Sequence, residues 1–288
     1  MKKFLTIFTP TYNRAYILPK LYKSLVAQTN KNFVWLIVDD GSSDGTEALI
    51  QSFKSENLIE IEYLYQENKG KHFAINNGIK NTDTDFFIVI DSDDFITENA
   101  VAEMEILAAK IQDDQQIAGF TILYFPTKTP YDKEKYGKKE WISNGKVVYD
   151  WEFQGEMIFG FKTAIHKQFL FPEFEGEKFC AESLVLRRIE RQYKILCTDK
   201  VLAFGDYLED GLSSKFYQLI LKNPKGSLLN IKERFKDPLS KQEKHELAKT
   251  YWDVASKTNQ DFSVKFFGIS PFLILNVLVN KFKKKIIS

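Results

Sequence analysis

Across the first 125 residues, short runs of β-branched and aromatic residues alternate with longer segments of helical spacing, and this rhythm constrains the fold more than any other feature. The runs place strands at Phe4–Thr9, Phe33–Val38, Ile59–Tyr65, Phe86–Ile90 and Ile117–Tyr124, with helices at Ile17–Gln28, Gly45–Ser55, Gly70–Asn81 and Glu98–Gln112 between them. Strands buried on both faces read as continuous apolar runs. Connections of this length suit right-handed crossovers between parallel strands, which cover both faces of the sheet with helices. The expected fold is therefore α/β, with a doubly wound, mostly parallel central sheet.

Beyond Pro126 the rhythm loosens. Residues 127–150 are rich in Lys, Tyr and Gly and read as a loop or hairpin over one sheet edge. Glu177–Gln192 regains helical spacing, and Ile195–Tyr207 reads as one or two strands. From Leu212 the chain is helical in character, broken at Pro224 and Pro238. The expected division is a sheet domain over residues 1–211 and a helical extension over 212–288.

Composition excludes some classes of function. A formal charge of +1 provides no global field for nucleic acid. Cys180 and Cys197 lack CxxC spacing, and His72, His166 and His245 are scattered, which argues against a zinc site and for a reduced, intracellular chain. The amino-terminal KFLTIFT is too short for a secretory leader and reads as the first strand.

In an open α/β sheet, ligands bind beyond the carboxyl ends of the strands. Three of these junctions are unusual here: TPTYNR (Thr9–Arg14), VDDGSSDGT (Val38–Thr46) and IDSDD (Ile90–Asp94). The second is open between a well-capped loop, with Ser43 or Asp44 as the cap, and a site where Asp39 and Asp40 accept from a base N–H or a ribose hydroxyl. The third has two readings: a solvated acidic turn, or Asp91 and Asp93 pointing to one side of an extended segment and holding a hard divalent ion. A calcium loop of the EF-hand kind fits less well, because it lacks Gly at the sixth position and Glu at the twelfth.

Together with NKGKHFAINNGI (Asn68–Ile79), these junctions resemble glycosyltransferase family 2, inverting enzymes of the GT-A fold, in order and spacing. The resemblance covers about the first 125 residues. It implies a nucleotide-sugar-binding half over 1–125 and an acceptor-binding half over 126–211. It also implies that Pro10, Tyr12 and Asp40 line a uracil pocket. Asp91 and Asp93 would then be the DXD pair at ribose and metal, with Ser92 on the nucleotide sugar and Asp94 in the same metal shell. Mn²⁺ or Mg²⁺ is the implied cofactor. Lys71 is open between assisting at the diphosphate and a solvated helix-start lysine, and His72 between a ligand and a satisfied histidine.

Inversion requires a carboxylate that deprotonates the attacking hydroxyl. In family 2 this residue sits in a Glu-Asp pair opening a helix, followed by Arg. KFCAESLVLRRIERQYK (Lys178–Lys194) offers Glu182, with Ser183 where Asp is usual. A branch of the family with later YLEDGLS-like segments, here Tyr207–Ser213, keeps Glu182 as the choice, and Glu156 is the reserve. The alternative for Glu182 is a carboxylate complementing a helix dipole, and Arg187 or Arg188 would steer phosphate or orient Glu182.

The implied partners are a nucleotide-sugar donor, UDP-linked by the resemblance, and a glycan or lipid-linked acceptor in surface-polysaccharide assembly. Rival readings are a non-catalytic nucleotide-sugar-binding protein and a sugar-1-phosphate nucleotidyltransferase, whose Gly-rich basic loop TPTYNR lacks. The tail FFGISPFLILNVLVNKFKKK (Phe266–Lys285) falls short of the roughly 20 apolar residues that span a bilayer. It is open between a buried terminal helix and an interfacial helix meeting anionic lipid. The expected location is cytoplasmic, with peripheral contact at the inner face of the membrane.

Overall fold

The computed structural model describes residues 2–130, 132, 134–143, 156–206 and 216–287, with side chains up to residue 280. These residues fall into two compact units, Met1–Phe171 with Val185–Leu208, and Pro172–Leu184 with Glu209–Ser288.

In the first unit the expected rhythm appears as β1 (Leu5–Thr11), α1 (Leu18–Val26), β2 (Phe33–Asp39), α2 (Thr46–Glu56), β3 (Ile61–Tyr65), α3 (Lys71–Asn81) and β4 (Phe86–Val89). A two-residue strand, β5 (Phe95–Ile96), precedes α4 (Ala100–Ile111) and β6 (Ile117–Pro126). The order β3-β2-β1-β4 is parallel throughout. Every residue of β1 and β2 is buried, as expected for strands covered on both faces. Trp35 at the centre of β2 lies fully buried beside Tyr22 of α1 and Phe53 of α2, and those two rings stack at 3.9 Å. Each such aromatic contributes about 1.5–3 kcal/mol by leaving water.

The remaining elements are β7 (Glu140–Ser143), β8 (Glu156–Lys162), α5 (Thr163–His166), α6 (Ser183–Glu190), β9 (Lys194–Thr198) and β10 (Val201–Gly205). Residues 195–207 thus hold parts of two strands. β7 pairs antiparallel with β9, so residues 140–143 add a strand to the sheet where a loop or hairpin was expected, and residues 144–150 of that segment lie outside the described residues. The notable difference from the sequence reading is β8. It inserts antiparallel between β4 and β6 and makes the sheet mixed.

Its sequence, EMIFGFK, carries Gly160 in the middle, and glycine weakens a strand judged on propensity alone. Packing supplies the reason for that glycine. A Cβ at Gly160 would lie 2.7 Å from the Phe120 ring, and one at Gly119 on β6 would lie 2.1 Å from the Gly160 carbonyl oxygen. The two strands approach this closely only because both positions lack a side chain.

The second unit is helical: α7 (Phe216–Lys222), α8 (Pro224–Arg234), α9 (Lys241–Lys257), α10 (Phe262–Phe267) and α11 (Pro271–Ile287). Leu228, Ile231, Leu247, Tyr251, Val254 and Ile274 form its core. A capping box between Ser240 and Glu243 opens α9, an arrangement worth about 1 kcal/mol. The segment leading to Glu182 is tied down here. Buried Glu177 accepts the backbone N–H groups of Lys225 and Gly226 at the start of α8, at 2.7 and 2.8 Å, and Asn223 Oδ1 accepts those of Lys178 and Phe179. A carboxylate at a helix N-terminus gains both hydrogen bonds and the favourable end of the dipole.

Candidate functional site

The three unusual junctions meet at the carboxyl ends of β1, β2 and β4. The first two are laced together. Asn13, in the left-handed region at φ 53°, receives a bond from the Ser43 N–H through its side chain while its own N–H donates to Ser42 Oγ, both at 2.8 Å. Ala15 N–H donates to Asp44 at 3.0 Å. Both aspartates of β2's end are buried and engaged. Asp39 accepts from the Ser42 N–H and the Tyr63 hydroxyl. Asp40 accepts from Gln66 Nε2 and from the N–H groups of Lys69 and Gly70, at 2.7, 2.8 and 2.7 Å.

Asp40 therefore positions the loop that opens α3, and Lys71 at the first turn of that helix reaches Asp91 at 2.8 Å. Near the loops, Pro10 is buried in β1 and Tyr12 is 49% exposed. Ser92 is buried.

Asp91, Asp93 and Asp94 bring carboxylate oxygens within 4.8 Å of one another. Their electrostatics are unfavourable as they stand. Burial, then repulsion from Asp91 and Asp93, pushes the Asp94 carboxyl up to about 8, with Glu156 adding to the push and Lys71 opposing it. Asp93 is also raised, by burial and Asp91, against the pull of Arg14 and Lys71. Asp91 Oδ1 is buried without a hydrogen-bond partner.

A buried acceptor without a donor and an excess of negative charge both fit a hard divalent cation held by the three carboxylates. The sign of the coupling is testable. A carboxyl raised from its ordinary 3.8 to about 8 keeps its proton in the folded chain after the unfolded chain has lost it, so this group costs stability as pH rises between those values. Without divalent ions, thermal stability is expected to fall more steeply between about pH 5 and about pH 8 in the wild type than in Asp94→Asn. Added Mn²⁺ is expected to remove the difference. Parallel slopes in EDTA would show that Asp94 is not the group responsible.

A family model described as Glycosyl transferase family 2 matches residues 6–173, more than half of the chain. The chain belongs to glycosyl transferase family 2. It is 32% identical over 116 residues to Glycosyltransferase GlyA of Streptococcus pneumoniae serotype 4, covering 40% of this chain and 16% of that protein. It is 31% identical over 143 residues to an uncharacterized glycosyltransferase of Mycoplasma pneumoniae, covering 48% and 46%. The chain thus spans less than half the length of these curated relatives.

Among solved structures, S. aureus TarS 1-349 in complex with UDP-GlcNAc aligns at TM-score 0.60 and 17% identity, covering 90% of this chain and 82% of that one. The mannosyltransferase PcManGT from Pyrobaculum calidifontis, in complex with GDP-Man and Mn²⁺, aligns at TM-score 0.58 and 14% identity, covering 90% and 74%. These likenesses establish the GT-A fold with a helical carboxyl-terminal region.

In this family 2 chain, the first unit brings together Asp91, Asp93, Asp94 and Lys71. Glu156, at the exposed start of β8, lies close enough to raise Asp94. Glu182 belongs to the second unit and directly precedes α6, exposed. Arg187 on α6 is buried and Arg188 half-buried. His72 is buried against Phe73 and Phe171, the surroundings of a core histidine. Tyr207–Ser213 lies outside the described residues.

Two contributors escape a reading of the sequence. Arg14, within TPTYNR, supplies positive charge to Asp93, and only its motif membership could have flagged it. Gly205, at the end of β10, makes room for the third carboxylate. A Cβ there would lie 2.1 Å from Asp94 Oδ1 and 3.0 Å from the Tyr124 ring. Gly205→Ala is therefore expected to displace Asp94 and weaken Mn²⁺ binding by about 10–100-fold, the usual cost of losing a group that orients a metal ligand. Titration calorimetry with Mn²⁺ measures it, and an unchanged affinity would remove Gly205 from the site.

Proposed function

We propose that this chain is a metal-dependent, inverting glycosyltransferase that moves a sugar from a nucleotide-sugar donor, most simply UDP-linked, to a glycan or lipid-linked acceptor in surface-polysaccharide assembly. The observation that carries this reading is the crowded aspartate trio beside Lys71 at the carboxyl end of β4. Family membership and the nucleotide-sugar complexes of TarS and PcManGT support it.

Asp91, Asp93 and Asp94 would hold Mn²⁺ or Mg²⁺, which supplies Lewis-acid stabilisation of the charge gathering on the departing diphosphate. Lys71 adds positive charge beside the same group. Tyr12 and Pro10 flank the base, Asp40 accepts from it with the lone-pair capacity left after three protein donors, and Ser92 touches the donor.

Glu182 is assigned as the base, with Glu156 in reserve. It takes the proton of the acceptor hydroxyl as that oxygen bonds to C1, and the C1–O bond to the nucleoside diphosphate breaks on the opposite face. The sugar is thereby inverted in one displacement. Glu182 fits this role through its place at the opening of α6, the position the family motif gives its base.

The reading is tested by incubating purified protein with a panel of UDP-, GDP- and dTDP-sugars and measuring released nucleotide with Mn²⁺ and with EDTA. The expected result is Mn²⁺-dependent release of UDP from one donor. Donor binding with no release from any of them, even with candidate acceptors present, would favour a non-catalytic binder. Pyrophosphate release from a nucleoside triphosphate and a sugar-1-phosphate would favour a nucleotidyltransferase.

A further inference from the structure

We propose that α10 and α11 form a docking surface for the anionic face of a lipid bilayer. One side of α11 is committed to the second unit's own core: Ile274 and Val277 are buried and Leu278 packs beside them against α9. On the other side, Phe272, Leu275 and Val279 are 71%, 57% and 43% exposed. Their spacing of three and four residues makes them a single stripe along the helix. On α10, Phe262 and Phe267 are 67% and 65% exposed, ring beside ring at 6.1 Å.

α10 is held firmly in place. The Tyr251 hydroxyl donates to the Val264 carbonyl at 2.7 Å, and Trp252 meets Phe266 edge-on at 5.2 Å. Large apolar side chains gathered in one short stretch and left in water mark an interaction surface.

Charge identifies the occupant. Phe262–Ser288 contains five lysines and no Asp, Glu or Arg. Because the whole chain has 40 basic and 39 acidic residues, the residues before Phe262 carry a net charge of minus four, and the positive charge is concentrated in this segment. A second copy docking through the same segment would bring five lysines toward five. A bilayer containing anionic lipid instead offers phosphates to the lysines and an apolar boundary to the phenylalanines, the pairing that holds amphipathic helices in the interfacial plane. Among the described residues no helix is long and apolar enough to cross a membrane, so the contact is interfacial.

This inference does not rest on the catalytic reading, because vesicle binding is measured without donor or acceptor. The full chain is floated with vesicles of phosphatidylcholine alone and of phosphatidylcholine with phosphatidylglycerol. Binding is expected only to the anionic vesicles and to weaken with added salt. Phe272→Gln with Leu275→Gln is expected to reduce it at least tenfold. Glutamine at Lys281, Lys283, Lys284 and Lys285 is expected to abolish the preference for anionic lipid.

Phe272 and Leu275 are exposed, and retained circular dichroism and melting temperature establish that both sets of variants fold. No binding to anionic vesicles, or equal binding by the Phe272/Leu275 variant, overturns the proposal. So does a dimer in light scattering that this variant abolishes, which would assign the stripe to a second copy.

Discussion

Asp93→Ala is expected to lose the Mn²⁺-dependent part of UDP binding, with an affinity loss of at least about 100-fold, roughly 2.8 kcal/mol. Asp93 sits between two carboxylates that already repel it, so its removal has two opposite effects. On the proposed reading it takes away a metal ligand, and it relieves a partly buried charge whose desolvation is costly without a counterion. The metal-free variant should therefore melt at or above the wild-type temperature while binding UDP and Mn²⁺ poorly.

That combination distinguishes a ligand from a structural residue, whose loss would lower both. Calorimetric titration of UDP with Mn²⁺ and with EDTA, paired with thermal scans in EDTA, measures each effect. Wild-type affinity in Mn²⁺ would show that the trio does not hold the metal.

The second large effect is expected from Glu182→Gln. The amide keeps the shape and hydrogen-bonding reach of the carboxylate and removes its capacity to take a proton. UDP affinity should stay unchanged while turnover falls by about 10²–10⁴-fold, the usual contribution of a positioned general base. Glu156→Gln belongs in the same experiment. Glu156 stands in the field of Asp94, so its loss should lower the Asp94 value and move metal affinity. Near-normal turnover in Glu182→Gln together with collapse in Glu156→Gln would reassign the base.

The parallel half of the sheet was legible because β1, β2 and most of β4 are buried on both faces and the strands are punctuated by crossover helices, so burial and periodicity signal the same element. β8 was not. Its pairing depends on Gly119 lying opposite Phe161 and Gly160 opposite Phe120, diagonal positions where a side chain would collide with the other strand, a relation between distant residues that no local window contains.

The same contrast holds within the site. Asp91, Asp93 and Asp94 stand out in sequence because three acids at the end of an apolar run require an explanation. Gly205 does not stand out, since what matters there is the room left for a carboxylate more than a hundred positions earlier in the chain. Arg14 is intermediate: its motif draws attention to it, but its influence on Asp93 becomes visible only once β1 and β4 lie side by side.

The placement of β8 also bears on how the chain must be handled. A clone cut at Pro126, which would contain nearly all of the recognisable motifs, would leave β4 with a bare edge and β6 without β8, β9 or β10 to bind. Unpaired edges of this kind recruit other molecules. Such a fragment is expected to collect in inclusion bodies, and a growing polypeptide on the ribosome faces the same hazard until β10, ending at residue 205, has emerged.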